Sequence, residues 1–273
     1  MNKIKIKNYT IDKKHPLVIM CGPCVIESEL HALQCAEFLK NLTEELGIHL
    51  VYKSSYDKAN RSSIHSFRGV GIDQGLKILQ KIQKTFDLPV VTDVHTPEEA
   101  AQAGDVCEVL QIPAFLCRQT DLLVAAGKTG KVINVKKGQF MAPGDMGNAV
   151  EKINATGNSQ VILVERGTSF GYNNLVCDMR GIPIMQQFGV PVCFDATHSV
   201  QLPGGNGTTS GGQREFIPTL AKAAIAAGAD CLFMEAHPDP KNAMSDKDSV
   251  IPFSDLAKLL RHFKQLYDVV RGE

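Results

Sequence analysis

HLVYKSSYDKANRSS, residues His49 to Ser63, changes character at one point. HLVY (His49 to Tyr52) is an unbroken apolar run of the kind that forms a buried strand. The eleven residues from Lys53 to Ser63 then carry Lys53, Lys58 and Arg61, with Asn60, Ser62 and Ser63 between them. A phosphate suits that mixture: lysine as a point charge, arginine as a planar fork, hydroxyls and amides as further donors. A solvated basic loop is the plain alternative. The choice rests on whether other strand ends in the chain make the same switch from apolar to charged.

They do. From Leu17 onward, short apolar runs each end in polar residues and are followed by a loop and an amphipathic stretch. The runs are LVIM (Leu17 to Met20), HLVY, PVVTDV (Pro89 to Val94), EVLQI (Glu108 to Ile112), KVINV (Lys131 to Val135), QVILV (Gln160 to Val164), PVCFDA (Pro191 to Ala196) and CLFM (Cys231 to Met234). Continuous apolar runs suit parallel strands covered on both faces. Helical faces lie between them: Ala32, Cys35, Ala36, Leu39 and Leu42 after Ser28; Leu76, Leu79, Ile82 and Phe86 after an Asp73 cap; Leu256, Leu259, Leu260, Phe263 and Tyr267 after Ser254. Pro218 suits a first helical turn. The connections after the fourth and sixth runs are less legible.

Eight such units in about 250 residues match a closed (β/α)8 TIM barrel. An open doubly wound sheet uses similar units, but no GxGxxG follows the first strand. Lys3 to Ile11 alternates apolar and polar residues, which predicts a short N-terminal β-hairpin. Residues 1–14 are read as a flap outside the main fold, and residues 1–273 as one domain.

Composition narrows the partners. The chain has 273 residues, 44% apolar and 21% charged, with formal net charge zero. No global field favours nucleic acid or a membrane, so any anion site is local. No apolar run approaches the ~20 residues of a membrane helix. The N-terminus lacks an apolar signal region, and eight cysteines show no regular framework. A reducing cytoplasm is the expected compartment. The chain has no Trp and five Tyr, which argues against a base-stacking surface.

In such a barrel the site forms at the carboxyl ends of the strands. Lys53, Lys58, Arg61, Lys136, Lys137 and Arg166 converge there, enough cations for two phosphates or for a phosphate and a carboxylate. Asp93, His95, Gln111 and Arg118 stand at the same rim. Cys24, His198, Glu235 and Asp246 would supply S, N, O and O donors to a divalent ion such as Zn, Fe(II) or Mn. Their spacing matches no finger or HExxH pattern, and a core histidine and a buried apolar cysteine are the plain readings of His198 and Cys24. Cys21-Gly-Pro-Cys24 has thiol-disulfide spacing, but the seven further strand units do not fit a thioredoxin-like domain. Leu202 to Glu215, LPGGNGTTSGGQRE, reads as a mobile loop over the site or a phosphate cradle before a helix.

KANRSS (Lys58 to Ser63), QIPAFLCRQTDLL (Gln111 to Leu123), INVKKGQF (Ile133 to Phe140), ERGTSFGYNNL (Glu165 to Leu175), FDATHSVQLPGG (Phe194 to Gly205) and MEAHPDP (Met234 to Pro240) together resemble the 3-deoxy-D-manno-octulosonate 8-phosphate synthases, also called 2-dehydro-3-deoxyphosphooctonate aldolases. The resemblance runs from about Leu17 to the C-terminal helix. A sister family using erythrose 4-phosphate reads KPRTS where this chain has KANRS, so Asn60 argues against it. The resemblance implies a homotetrameric cytoplasmic transferase of Kdo and lipopolysaccharide biosynthesis, from a Gram-negative source. Its reaction condenses phosphoenolpyruvate with D-arabinose 5-phosphate and water. One branch of that family carries Asn at the position of Cys24 and needs no metal. The other has Cys and binds a divalent ion through residues matching Cys24, His198, Glu235 and Asp246. By the same resemblance Lys58, Lys136, Arg166 and Gln111 would hold phosphoenolpyruvate, with Lys53 and Lys137 nearby. Asn60, Arg61 and Ser62 would take the sugar phosphate, and Arg118 would reach a neighbouring subunit's site. Asp93 would sit near the reacting centre, and Lys136 would act as proton donor.

Overall fold

The computed structural model describes residues 2–205 and 210–272. Among them, eight parallel strands form one closed sheet: β1 (Val18–Gly22), β2 (His49–Lys53), β3 (Val90–Asp93), β4 (Val109–Ile112), β5 (Val132–Lys136), β6 (Val161–Glu165), β7 (Val192–Asp195) and β8 (Cys231–His237). Each pairs with the next in sequence, and β8 pairs with both β7 and β1 to close the cylinder. Helices follow the strands in turn: α1 (Glu29–Leu46), α2 (Ile72–Phe86), α3 (Pro97–Gly104), α4 (Thr120–Lys128), α5 (Gly147–Asn154), α6 (Gly181–Gln186), α7 (Ile217–Ala226) and α8 (Phe253–Arg271). The (β/α)8 barrel read from the apolar runs is the observed fold. Among the described residues no helix is long and apolar enough to cross a membrane.

The local signals hold with small shifts. Ser28 caps α1, its hydroxyl accepting the His31 N–H at 3.2 Å, and Ala32, Cys35, Ala36, Leu39 and Leu42 are buried beneath it. Pro218 lies in the first turn of α7. Asp73 and Ser254 are not caps. Gly71 and Pro252 occupy those positions, which puts both acceptors inside the first helical turn. The buried face of α2 is Gly75, Ile78, Leu79 and Ile82. After β4 a 3-10 turn (Ala114–Leu116) precedes α4. After β6 a two-stranded ribbon (Thr168–Ser169 with Leu175–Val176) precedes α6. Those interruptions explain why these two connections were hard to read.

Strand parity decides what the barrel encloses. Successive side chains point to opposite faces. Val51, Val91, Val109, Val132, Val164, Cys193 and Phe233 point inward and form one apolar cluster. Their neighbours Leu50, Tyr52, Leu110, Ile133, Leu163 and Leu232 point outward, into the layer under the helices. Ile4, Ile6 and Ile11 join the inward cluster, each almost fully buried. The Lys5 N–H donates to Gln160 Oε1 at 3.2 Å and the Asn2 N–H to Gly189 O at 2.6 Å. The hairpin (Ile4–Ile6 with Tyr9–Ile11) is therefore no flap outside the fold. It is a plug at the amino ends of the strands, because its alternating isoleucines present one apolar face to the open barrel floor.

Candidate active site

One inward step beyond that apolar cluster the chemistry changes. Val51 is followed at the same parity by Lys53, Val91 by Asp93, Val109 by Gln111, and Val132 by Asn134 and then Lys136. Val164 leads to Arg166, Cys193 to Asp195 and Phe233 to Glu235. All eight polar side chains are buried. A one-residue slip in any strand would turn its member outward. Gly22 completes the ring at β1, because a Cβ there would stand 1.9 Å from Lys53 O.

Charge pairs with charge across the mouth. Lys53 Nζ donates to Glu235 Oε1 at 2.6 Å and to Cys24 O at 3.1 Å. Lys58 Nζ lies 3.9 Å from both Asp93 Oδ2 and Glu235 Oε1, and 3.2 Å from Ser55 Oγ. Lys136 Nζ is 3.1 Å from Asp195 Oδ2 and sits 4.0 Å above the Phe233 ring. His198 Nδ1 meets Asp195 Oδ1 at 2.9 Å, and its Nε2 is 3.5 Å from Glu235 Oε2. Asp93 accepts from Ser55 Oγ and Gln111 Nε2, and Asn134 Nδ2 donates to Gln111 Oε1 at 3.0 Å.

These neighbours set the ionisation. Burial pushes Asp93 upward, but the ammonium groups of Lys53, Lys58 and Lys136 hold it well below the usual carboxylate range. Burial likewise opposes charge on Glu235, and Lys53, His198 and Lys58 outweigh it. Asp195 is held low against burial by His198 and Lys136. Burial disfavours the charge on Lys58, yet the acidic groups around it, Cys24, Glu235 and Asp93, raise it above the ordinary lysine value.

Arg166 differs from these pairs. It is buried, and its Nε and Nη1 have no hydrogen-bond partner. Burial lowers its pKa, with Asp195, Cys177 and Glu165 opposing. Buried donors without partners are costly and suit an anionic ligand.

A donor set for a cation lies beside this group. Sγ of Cys24 and carboxylate oxygens of Glu235 and Asp246 come within 4.8 Å of one another. His198 is outside that triplet but reaches Glu235 Oε2. Cys24 Sγ lies 2.8 Å from Asp246 Oδ2 and 3.0 Å from Ser245 Oγ, while Gln201 Nε2 holds Asp246 Oδ1 at 2.9 Å. Burial and then Asp246 and Glu235 push the Cys24 thiol up, against Lys58 and Lys53. One thiol, one imidazole and two carboxylates, mostly buried, fit a divalent ion.

Other expected residues fall elsewhere. Lys137 is fully buried on the opposite parity to Lys136. Its ammonium is bound by Gly167 O at 3.0 Å and Thr168 Oγ1 at 3.1 Å, with Glu165 at 3.5 Å. It braces the loop after β6 and does not face the mouth. Asn60 and Ser62 are exposed on the loop after β2. Half-buried Arg61 bonds Phe67 O at 3.0 Å through Nε. Arg118 is exposed after β4, bordering a cavity of about 390 Å³ with Asp145, Asn148 and Lys152. Cys21 points outward, is fully buried and has its thiol pushed up to about 12, first by burial and then by Glu235. That is the reverse of an activated redox thiolate. Residues 206–209 of the Gly-rich stretch lie outside the described residues. Its flanks Gln201–Leu202 and Gly211–Gly212 pair antiparallel. Asn134 and Ser55 were missed. A lone amide inside the apolar run KVINV was the available signal for Asn134.

The DAHP synthetase I family model matches residues 2–271. A Protochlamydia amoebophila protein named 2-dehydro-3-deoxyphosphooctonate aldolase is 63% identical over 273 residues, covering 100% of this chain and 99% of that one. Proteins of the same name from Trichlorobacter lovleyi and Francisella tularensis subsp. holarctica are 59% and 55% identical, covering 93% and 99% of this chain and 94% and 98% of their own. The chain belongs to the DAHP synthetase I family, on the branch of the 2-dehydro-3-deoxyphosphooctonate aldolases.

Proposed function

We propose that this chain is a 3-deoxy-8-phosphooctulonate synthase. It condenses phosphoenolpyruvate with D-arabinose 5-phosphate and water, giving the eight-carbon sugar acid phosphate and inorganic phosphate. The observation that carries this reading is Arg166, a buried guanidinium with two unbonded nitrogens, on the same mouth as Lys53, Lys58 and Lys136.

Phosphoenolpyruvate is nucleophilic at its methylene carbon. That carbon attacks the sugar aldehyde, whose oxygen takes a proton. The central enol carbon becomes cationic and takes water, losing a proton. The resulting hemiketal phosphate expels phosphate by breaking its carbon–oxygen bond. Arg166 and Lys58 bind the phosphate and carboxylate of phosphoenolpyruvate, and Gln111 orients it. Lys136, aimed by Asp195, is placed to protonate the new alkoxide. Asp93, ionised and fixed by Ser55 and Gln111, stands where the central carbon gains positive charge. Asn60, Arg61 and Ser62 take the sugar phosphate, and Arg118 serves a neighbouring subunit of a homotetramer.

Charge counting supports a divalent ion. Lys53, Lys58, Lys136 and Arg166 are matched by Asp93, Asp195, Glu235 and Asp246 before any substrate enters. Two phosphate esters call for further positive charge. Cys24, His198, Glu235 and Asp246 would hold the ion, Zn, Fe(II) or Mn, which supplies Lewis acidity toward the aldehyde or water. The work belongs in the cytoplasm, where phosphoenolpyruvate is made.

The test is to mix both substrates and measure free phosphate, with and without chelator. Phosphate release requiring both substrates is expected. Release from phosphoenolpyruvate alone, or none with both, overturns the reading. Replacing arabinose 5-phosphate by erythrose 4-phosphate separates the sister reaction.

A further inference from the structure

Glu27 stands three residues beyond Cys24 and plays no part in the chemistry above. Its Oε1 accepts the Met244 N–H at 2.9 Å and also lies 3.3 Å from His237 Nε2. Its Oε2 is 4.0 Å from His31 Nδ1. Donor atoms of Glu27, His31 and His237 come within 4.8 Å of one another, a spacing that an ion would accept. The tautomer argues otherwise. His237 Nδ1 accepts the Asp239 N–H at 3.0 Å, so the neutral ring carries its proton on Nε2, the atom facing Glu27. That proton occupies the lone pair an ion would need. The cluster is a clamp, one hydrogen bond from the Met244 N–H to Glu27 with His237 and His31 set beside the carboxylate, and not a second metal centre.

The clamp grips the chain just before Asp246. Asp246 has φ +51°, in the left-handed region. Asp adopts that conformation more readily than most residues with a Cβ, because its short side chain bonds locally. Gln201 and Ser245 hold the Asp246 side chain. Glu27 fixes the backbone two residues earlier, and so ties the segment bearing Asp246 to the segment bearing Cys24.

We infer that Glu27 is a positioning residue: through the Met244 N–H and His237 it sets the separation of Cys24 and Asp246, and with it the affinity of the site for a divalent ion. This rests on the metal reading above. The supporting shell of a metal site typically contributes 10–100-fold in affinity.

The experiment titrates metal-free protein with Zn²⁺ or Co²⁺ against a chromophoric chelator and records thermal unfolding without metal. The parent should bind one ion per chain. Glu27→Ala should weaken binding about 10–100-fold while the metal-free melting temperature moves little. Glu27→Asp keeps the charge but falls short of Met244. It should weaken binding similarly, and it serves if the alanine variant does not fold. Glu27→Gln keeps an Oε1 that accepts the Met244 N–H, and should stay close to the parent. Unchanged affinity in the alanine and aspartate variants overturns the positioning role, as does a glutamine variant as weak as alanine. A parent that binds no ion overturns the metal reading and the inference with it.

Discussion

Lys53 Nζ lies 2.6 Å from Glu235 Oε1, and neither side chain reaches solvent. The pair joins β2 to β8 across β1. Removing Lys53 leaves the buried Glu235 carboxylate with only the more distant His198, at 3.5 Å, and Lys58, at 3.9 Å, a partial loss of compensation that costs up to about 3 kcal/mol, the lower end for a buried charge left with no partner. Lys53→Met is therefore expected to lower unfolding stability by about that amount, measured in urea. The double variant Lys53→Met/Glu235→Leu should recover most of the loss, because an apolar pair of similar volume is often neutral. A single variant as stable as the parent would show that the pair is not isolated from water.

The barrel was legible because each strand is covered on both faces and so reads as a continuous apolar run. The mouth was legible because polarity switches at each strand end. Parity was legible too, but strand-end charge alone does not use it: Lys136 and Lys137 are adjacent, so only one can face inward. The hairpin showed its apolar face through Ile4, Ile6 and Ile11, while the surface it covers is made by strands spread along the chain as far as Cys231 and Phe233. Asp246 and Gln201 are brought to Cys24 by loop geometry with no local signal. Asp73 and Ser254 failed as caps because helix starts are set within a turn by the preceding backbone, here Gly71 and Pro252.

Gly22 offers a steric test of the ring. An alanine Cβ at this position would stand 1.9 Å from Lys53 O, a backbone atom between paired strands that cannot move aside. Gly22→Ala is expected to cost about 3 kcal/mol or more, at or above the upper range for overpacking. Urea denaturation of the variant should show that loss, and a loss below about 1 kcal/mol would mean β1 and β2 can separate locally.

Arg166 should separate stability from function. Its unbonded buried nitrogens are a cost in the free protein and are satisfied only by ligand. Arg166→Met is expected to melt at or slightly above the parent temperature without ligand. Phosphoenolpyruvate, which should raise the parent's melting temperature, should no longer do so for the variant. An intact ligand-induced shift would remove Arg166 from the binding site.

Stability should respond to pH through Glu99, His95 and Tyr56. Glu99 Oε2 meets His95 Nδ1 and Tyr56 Oη, each at 2.8 Å. Burial pushes Glu99 up, but His95 and Tyr56 hold it down to about 2, while His95 is raised despite its own burial. The lowered carboxylate contributes fully above its unfolded value of about 4.3 and loses that contribution as pH falls toward 2. The raised imidazole contributes fully below its unfolded value of about 6.5 and loses that contribution as pH climbs through its folded value. The stability difference between the parent and Glu99→Gln should therefore be greatest between about pH 4.5 and 6.5, narrowing on both sides. A difference independent of pH in urea melts from pH 3 to 8 would contradict the pairing.

Cys24→Asn tests the ligand assignment while keeping the local hydrogen bond. The amide can still donate to Asp246 Oδ2, which the thiol meets at 2.8 Å. The soft donor is lost, and with it a thiolate's affinity for a divalent ion. Ion affinity, measured by competition with a chelator, is expected to fall by more than about 100-fold, beyond the range for disturbing only the residues that support the ligands. Phosphoenolpyruvate affinity should change by less than about threefold, under 1 kcal/mol, because Arg166, Lys58 and Gln111 are untouched. Chelator treatment should then separate the proteins: it should stop phosphate release in the parent and leave whatever rate the variant has unchanged. A variant that binds and needs the ion as the parent does would mean that Cys24 is a packed thiol beside the site and no part of its donor set.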